Sequence, residues 1–200
     1  YDVTTSPFDY NGITNTTFTI PPFSDTTKFK IISLEDIIFE LDELFTLTGV
    51  ISSNNTLNTE IKGIGTIIDN DVAPSITMNN SREDEGIDLV HTIIISHPCS
   101  TPILIDMNTS DNLAISPDDY ITISESLTIE GTVDPNNANT QISFSIISIL
   151  DNLNELDEEI LNVIGAVTTT NIGMQDLMKT ATIIDVDPNP FVVIENVKVE

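Results

Sequence analysis

An internal repeat with a period of about 115 residues is the feature that most constrains how this chain folds. Residues 29–36 (FKIISLED) recur as residues 144–151 (FSIISILD), and residues 66–71 (TIIDND) recur as residues 182–187 (TIIDVD). The acid-rich stretches that follow residues 36 and 151 match at the same offset. Self-similarity at a fixed period marks copies of one structural unit. The chain therefore consists of copies of a single module.

The repeat divides the chain into three segments. Residues 1–72 correspond to the later part of one copy, residues 73–187 to a complete copy, and residues 188–200 to the first strand of a following copy. Each junction is only a few residues long and contains a proline, which stiffens a linker. We expect residues 73–187 to fold alone, and residues 1–72 to need a cover from upstream sequence or another chain.

Short apolar runs with a period of two predict strands rather than helices. Such alternation occurs at residues 17–20, 28–31, 45–48 and 143–146. Residues 93–95 (III) predict a strand that is more fully covered than these. Residues 152–163 carry an apolar stripe compatible with a helix, but their counterpart in the first copy alternates, so we predict a strand there as well. Asn162 interrupts the alternation and predicts a bulge or a change of register.

In the complete copy we place seven strands, near residues 75–79, 89–96, 102–108, 125–130, 141–149, 160–167 and 179–185. No long crossover helix is available, which favours antiparallel pairing. The predicted fold is all-β, with tandem antiparallel immunoglobulin-like sandwiches of about seven strands each.

The charge balance excludes several classes of function. The chain has 32 acidic and 6 basic residues and a formal charge of −26, so it repels the phosphates of nucleic acid. Its 40% hydrophobic content separates it from acidic disordered tails. It has no apolar run near the roughly 18 residues that span a bilayer, and we expect no membrane insertion by this segment. A glycosidase-like acid pair is the remaining enzymatic hypothesis; the chain has no Trp to stack a sugar and no nucleophile elbow, so we predict that it is not an enzyme.

The acidic residues are concentrated after strand ends. Five of the nine residues 35–43 are acidic, and so are five of the nine residues 151–159. Two such charges about 5 Å apart repel by roughly 3 kcal/mol at an effective dielectric of about 20, and a cation relieves that repulsion. Calcium suits carboxylates from several loops because it takes about six to eight oxygen ligands. The alternative is a solvated negative face.

The histidines and the cysteine are not predicted to bind a metal. His91 and His97 have no counterparts in the first copy, and we expect structural or solvent-exposed roles for both. Cys99 is the only cysteine, and we expect it to be a small buried hydrophobic residue.

The order of the recurring acids, Glu83-x-x-Gly86, Asp119-Tyr120, Asp151 with Glu155 and Glu158, and Asp185-x-Asp187, resembles the Calx-beta repeat. That family includes the calcium-sensing sandwiches of sodium–calcium exchangers and repeats in integrin β4 and large surface proteins. The resemblance implies calcium ligands at the following positions of the complete copy: Glu83, Asp119, Asp151, Glu155, Glu158, Asp185 and Asp187. In the first copy it implies Asp9, Glu35, Asp36, Glu40, Glu43, Asp69 and Asp71. The middle residue of the closing triplet is Asn70 or Val186 rather than an acid, which predicts one or two ions per copy.

The function we predict is a calcium-stiffened stalk or adhesin in a large extracellular surface protein or filament. Its partners would be the neighbouring repeats of the same polypeptide, together with other copies in a filament or a surface ligand. The alternative is a calcium sensor in which binding changes the angle between copies. Many further repeats in the whole polypeptide would favour the stalk, and transmembrane helices would favour the sensor.

Overall fold

A computed structural model describes residues 2–3, 8–155, 159–194 and 198. The chain forms two compact units, which are described separately. The first unit comprises Tyr1–Ser75, Ser96–Pro102 and Glu130–Thr140, and the second comprises Ile76–Ile95, Ile103–Ile129 and Gln141–Glu200. The regular structure of the described residues is β apart from a 3₁₀ turn at Pro135–Asn137. None of their helices has the length and apolarity needed to cross a membrane. The predicted all-β class is confirmed, whereas the division into three segments stays a prediction.

The first unit has two small sheets. Its strands are β1 (Asp2–Val3), β2 (Tyr10–Asn11), β3 (Ile32–Ser33), β4 (Glu43–Val50) and β5 (Glu60–Ile67). The order of the larger sheet is β1-β4-β5, and β2 pairs with β3 in the smaller one. Strand β4 confirms the alternation predicted at residues 45–48, because its side chains are alternately more and less exposed.

Two strands predicted in the first unit are wrong. Residues 17–20 and 28–31 have no regular secondary structure, although they alternate as strands do. A strand requires a partner whose backbone groups complete its hydrogen bonds, and these residues pair with none among the described part of the chain. The rings of Phe18 and Phe29 contact each other at a tilt of 32°, with centroids 4.7 Å apart, and both stay substantially exposed.

The second unit is a sandwich of two sheets. Its strands are β6 (Ile76–Met78), β7 (Ser81–Asp84), β8 (Leu89–Ile95), β9 (Ile103–Ser110), β10 (Ser124–Ile129), β11 (Gln141–Ile146), β12 (Glu159–Val167), β13 (Gln175–Asp176) and β14 (Met178–Ile184). One sheet has the order β10-β9-β12-β14-β7 and the other the order β11-β8-β6-β13. All seven predicted strands are present to within three residues at each end, and the short strands β7 and β13 are additional.

The core of the second unit lies between these sheets. Strand β9 buries Ile103, Ile105 and Met107 from one sheet, and β8 buries Leu89, His91, Ile93 and Ile95 from the other. The side chain between the last two, Ile94, is 47% exposed. The fuller cover predicted for residues 93–95 is limited to one face, because β8 follows the ordinary alternation of a sheet with one solvent-facing side.

Strand β12 confirms that residues 159–163 are part of a strand rather than a helix, and residues 152–155 have no helical structure. It pairs antiparallel with β14 on one side and β9 on the other, with an unbroken register along both ladders. The bulge predicted at Asn162 is absent from these ladders, because Asn162 lies opposite Thr180 and Ser110 and faces away from the core-facing Leu161 and Val163.

Residues 191–194, which we predicted to form a strand, have no regular structure, and all four side chains are exposed. They pair with no strand in the described ranges. Their assignment to a following copy stays a prediction.

Candidate metal centre

Four chain segments meet at one end of the second unit because of how its strands pair. Strand β7 runs parallel to β14, so both strands end on the same side, and the Glu85 amide donates a hydrogen bond to the carbonyl oxygen of Ile184 (2.9 Å). Nearby, Tyr120 bridges to Ser148, and the Ile149 amide donates to the carbonyl oxygen of Asp119 (2.8 Å). The acids that follow each of these strand ends are thereby brought together.

The acidic turn after residue 150 is tied to the end of β14. Asp151 Oδ1 accepts a hydrogen bond from the Leu153 amide (2.7 Å) and so closes the turn locally. Asp185 Oδ2 accepts a hydrogen bond from the Glu155 amide (3.1 Å), which joins the turn to the segment after β14. These two hydrogen bonds therefore define the path of the turn.

The first unit makes the three corresponding hydrogen bonds, each donated by a backbone amide. Asp36 Oδ1 accepts from the Ile38 amide (2.7 Å), and Asp69 Oδ2 accepts from the Glu40 amide (3.1 Å). The Leu34 amide donates to the carbonyl oxygen of Asp9 (2.9 Å), as Ile149 does to Asp119. The sequence repeat is thus a repeat of hydrogen bonds at the acidic turns.

Two groups of carboxylates have the spacing of a cation site. Oxygen atoms of Asp9, Glu40 and Glu43 lie within 4.8 Å of one another in the first unit. Oxygen atoms of Glu85, Asp151 and Asp187 do so in the second. Calcium–oxygen distances are about 2.3–2.6 Å, so ligands on opposite sides of one ion are about 5 Å apart. Each group fits the coordination sphere of a single cation.

Several of these carboxylates are buried. Asp9 is 3% exposed, Glu43 1% and Glu85 7%. An ionised carboxylate away from water is costly unless a hydrogen-bond donor or a cation compensates it. Burial on this scale does not fit the solvated negative face that the sequence left open.

Burial and the charges of neighbouring acids raise the pKa values of three carboxyl groups at these sites. Burial, followed by the negative charges of Asp119, Asp151 and other neighbours, raises the pKa of Glu155. Burial and the charges of Asp187, Asp185 and Asp151 raise the pKa of Glu85, against the opposing hydrogen bond from the Val186 amide. Burial and nearby Asp69 and Asp36 raise the pKa of Asp71 in the first unit. Each site therefore favours a positive species, either protons or a cation.

All seven residues implied in the first copy line one cavity of about 50 Å³: Asp9, Glu35, Asp36, Glu40, Glu43, Asp69 and Asp71. Such a volume admits only a few water-sized particles. Glu35 lies at its exposed side, where its Oε2 accepts a hydrogen bond from Asn70 Nδ2 (3.2 Å).

In the second copy the structure brings together most of the implied residues. Asp119 is buried, and its Oδ2 accepts a hydrogen bond from the Ile115 amide (2.6 Å). Glu83 is exposed on β7, and the buried Glu85 occupies the place implied for it. Glu158 lies outside the described residues.

Sequence analysis missed two residues of this centre. Glu85 directly precedes Gly86, and the run of four charged residues 82–85 left its orientation ambiguous. Asn154 is a neutral residue inside the acidic turn, and its Nδ2 donates hydrogen bonds to Asp185 Oδ2 (3.0 Å) and the carbonyl oxygen of Asp187 (3.1 Å). Nothing in the repeat signals it, because Phe39 stands at the matching position.

The histidines and the cysteine lie outside both carboxylate groups. His91 is buried and donates from Nδ1 to the carbonyl oxygen of Asn79 (2.9 Å). His97 Nδ1 forms a hydrogen bond with the Ser96 hydroxyl (2.9 Å). Cys99 is buried, as predicted, and its Sγ donates to the carbonyl oxygen of Thr101 (3.0 Å).

No protein-family model matches the sequence, and no curated protein matches it. Solved structures similar to the chain include CBD12 from CALX1.2, with 16% identity and a TM-score of 0.49, and the calcium binding domain CBD12 of CALX1.1, with 17% identity and a TM-score of 0.46. In both, the match covers 56% of this chain and 46% of the other, so the chain spans about half their length. The apo-form Calx CBD1 domain has 16% identity and a TM-score of 0.44 over 56% of this chain and 99% of its own. The family that the sequence resembles is thus among the solved structures similar to the chain.

Proposed function

We propose that this chain is a non-enzymatic calcium-binding segment of an extracellular surface protein, with one cation centre in each unit. The observation that supports it is the repeated tie between an acidic turn and a strand end, which gathers carboxylates within 4.8 Å of one another in both units. A solubilising surface would have no reason to bury Asp9, Glu43 and Glu85.

The donor set favours calcium over other metals. All the side-chain ligands in the two described groups are carboxylate oxygens, whereas zinc and copper prefer nitrogen or sulfur. The carboxylates come from several separate segments, which suits the flexible geometry of calcium. Magnesium requires a tighter octahedral arrangement and gives up its water reluctantly.

The stalk role extends the calcium proposal to the whole polypeptide. Extracellular modules bind calcium at about 10⁻⁴ to 10⁻³ M, where it is permanently available. Under such conditions the cation acts as a structural brace rather than as a signal. Its partners would be neighbouring repeats, together with other copies in a filament or a surface ligand.

Calorimetric titration and thermal melting of the 200-residue chain test the calcium proposal. We expect calcium to bind and to raise the melting temperature, and magnesium to have a smaller effect. Unchanged melting curves in calcium and in chelator would refute it.

Small-angle scattering of the same samples tests the stalk. A calcium-braced stalk predicts a narrower distribution of particle dimensions with calcium and saturation near millimolar concentration. Saturation in the micromolar range would favour the sensor instead, because sensors work at about 10⁻⁷ to 10⁻⁵ M.

A further inference from the structure

We propose that Asp185, and Asp69 in the first unit, position the acidic turn and do not ligate the cation. This assignment rests on the proposed function, and it departs from the ligand set that the sequence resemblance implies. It divides the acids of each centre into two roles.

The carboxylate of Asp185 is already occupied by hydrogen-bond donors. Its Oδ2 accepts from the amide of Glu155 (3.1 Å) and from Asn154 Nδ2 (3.0 Å), and its Oδ1 accepts from the Asp187 amide (3.0 Å). A carboxylate has about four lone-pair directions, so three donors leave little capacity for a metal. A cation bound at Oδ2 would have to displace a contact that holds the turn.

The carboxylate of Asp187 has the opposite character. Its Oδ2 is buried and accepts no hydrogen bond from the described residues. The same side chain lies with Glu85 and Asp151 in the carboxylate group of the second unit. A buried acceptor that lacks a hydrogen-bond donor is expected of a metal ligand in the metal-free protein.

The arrangement recurs in the first unit, where the neighbouring residues differ. Asp69 Oδ2 accepts from the Glu40 amide (3.1 Å) and its Oδ1 from the Asp71 amide (3.2 Å). Asp69 lines the cavity but does not belong to the group formed by Asp9, Glu40 and Glu43. Phe39 replaces Asn154 here, so the backbone contacts alone define the shared role.

A positioning role lets Asp185, which lies outside the carboxylate group, affect calcium binding without touching the cation. The contact to the Glu155 amide fixes the turn that carries Asp151 and Glu155, and so orders these carboxylates before the cation arrives. Without the contact, the turn would have to be ordered at the moment of binding, which lowers affinity. The number of ligands around the ion would not change.

Three double variants of the whole chain separate the two roles. Asp69→Asn with Asp185→Asn removes the positioning carboxylates. Asp9→Ala with Asp187→Ala removes one member of each carboxylate group, and alanine is used because an asparagine oxygen could still bind the cation. Glu60→Gln with Glu125→Gln is the matched control, because it removes the same charge from exposed strand positions. The measurements are calcium affinity by calorimetry and the hydration number of bound Tb³⁺ from its luminescence lifetimes in H₂O and D₂O.

We expect both aspartate variants to lose about 10- to 100-fold in calcium affinity, the range found when residues that orient metal ligands are removed. Only the Asp9/Asp187 variant should show a higher hydration number, because water replaces a lost ligand. A higher hydration number in the Asp69/Asp185 variant, or an affinity equal to that of the control, would overturn the assignment.

If the Asp69/Asp185 variant does not fold, the single variants Asp69→Asn and Asp185→Asn carry the same test in one unit each. Each removes the carboxylate that accepts the amide of Glu40 or Glu155, and we expect weaker calcium binding in that unit with an unchanged hydration number; unchanged affinity would contradict the positioning role. Failure of the unaltered chain to bind either calcium or Tb³⁺ would refute the proposed function instead, so the two failures are distinguishable.

Discussion

Tyr120 directly follows Asp119, and its side chain is held by a hydrogen bond to Asp111. The side chain is fully buried, and its hydroxyl donates to Asp111 Oδ1 (2.6 Å). The same bond lowers the pKa of Asp111, because a donor stabilises the ionised carboxylate. We expect Tyr120→Phe to lower the free energy of unfolding, measured by urea denaturation, because the buried ring loses its hydrogen bond to the carboxylate.

The matching tyrosine of the first unit is the control for that substitution. Tyr10 stacks on Phe45, with ring centroids 5.1 Å apart, and a phenylalanine keeps this contact. Tyr10→Phe should therefore change stability by less than Tyr120→Phe. Equal losses from the two substitutions would contradict the role given to the Asp111 hydrogen bond.

His91 makes the second unit sensitive to acid. Its ring stacks on Phe144, with centroids 5.4 Å apart, and burial lowers its pKa from the ordinary 6.5. Below pH 6.5 the unfolded chain takes up a proton that the folded chain refuses, so stability falls as the pH falls, by at most about 1.4 kcal/mol per pH unit. The stability of His91→Phe relative to the parent chain should therefore rise between about pH 7.5 and about pH 5.5. A difference in unfolding free energy that is constant over this range would exclude His91 as the cause.

At the residue scale, sequence analysis identified which acids recur but not which way each side chain points. Glu83 and Glu85 lie two residues apart in the same charged run and would share a face on a continuous strand. Strand β7 ends at Asp84, and the turn that follows buries Glu85 while Glu83 stays exposed. The end of β7 is set by its pairing with β14, which joins residues about 100 positions apart, so the local pattern does not contain it. Asn154 escaped notice for a similar reason, because its partners lie beyond residue 180.

At the scale of elements, the turn after β7 depends on a glycine. Gly86 has a φ of +77°, and a Cβ placed on it would lie 2.9 Å from the Cβ of Leu150. An L-residue in this conformation costs about 1–2 kcal/mol, and the clash pushes Glu85 away from Asp151. We expect Gly86→Ala to lower both the melting temperature and the calcium affinity, as measured by thermal melting and calorimetry.

Gly63 in β5 is the control for this prediction. A Cβ there meets no atom within 4 Å, and the residue is exposed. Gly63→Ala should leave calcium affinity unchanged and alter stability by less than about 1 kcal/mol. If it reduced affinity as much as Gly86→Ala does, the contact with Leu150 would not be the cause.

Strand formation in the two copies shows the limit of periodicity as a signal. Residues 143–146 and residues 28–31 alternate alike, yet only the former are part of a strand, because they pair with β8. Periodicity reports which face of a segment can be buried, whereas a strand also needs a partner at hydrogen-bonding distance. The repeat itself was the more dependable guide, since it argued against a helix at residues 152–163, of which residues 159–163 lie in β12.

For the whole molecule, the excess of negative charge has two different consequences. Many of the acids whose side chains the structure describes are exposed to water, where screening makes their mutual repulsion small. The few that converge at the acidic turns repel one another in partly buried surroundings, and this repulsion raises the pKa values of Glu85, Glu155 and Asp71 after the larger effect of burial. A bound cation would therefore neutralise only the few acids that converge at the acidic turns.

This division predicts how calcium stabilisation depends on pH. The raised pKa values of Glu85, Glu155 and Asp71 mean that the folded chain without calcium binds protons more readily than the unfolded chain does. Their burial, together with the repulsion from neighbouring acids, therefore destabilises the chain at neutral pH. This destabilisation is relieved as the pH falls through these pKa values, while calcium must compete with the protons. We expect the rise in melting temperature caused by calcium to be largest near about pH 7.5 and to shrink toward about pH 5. Replacing Glu85 and Glu155 by glutamine should flatten this dependence, and His91 does not affect it because its titration is common to both samples. A calcium increment that stays constant over this range, or one that grows on acidification, would show that these carboxylates do not bind the cation.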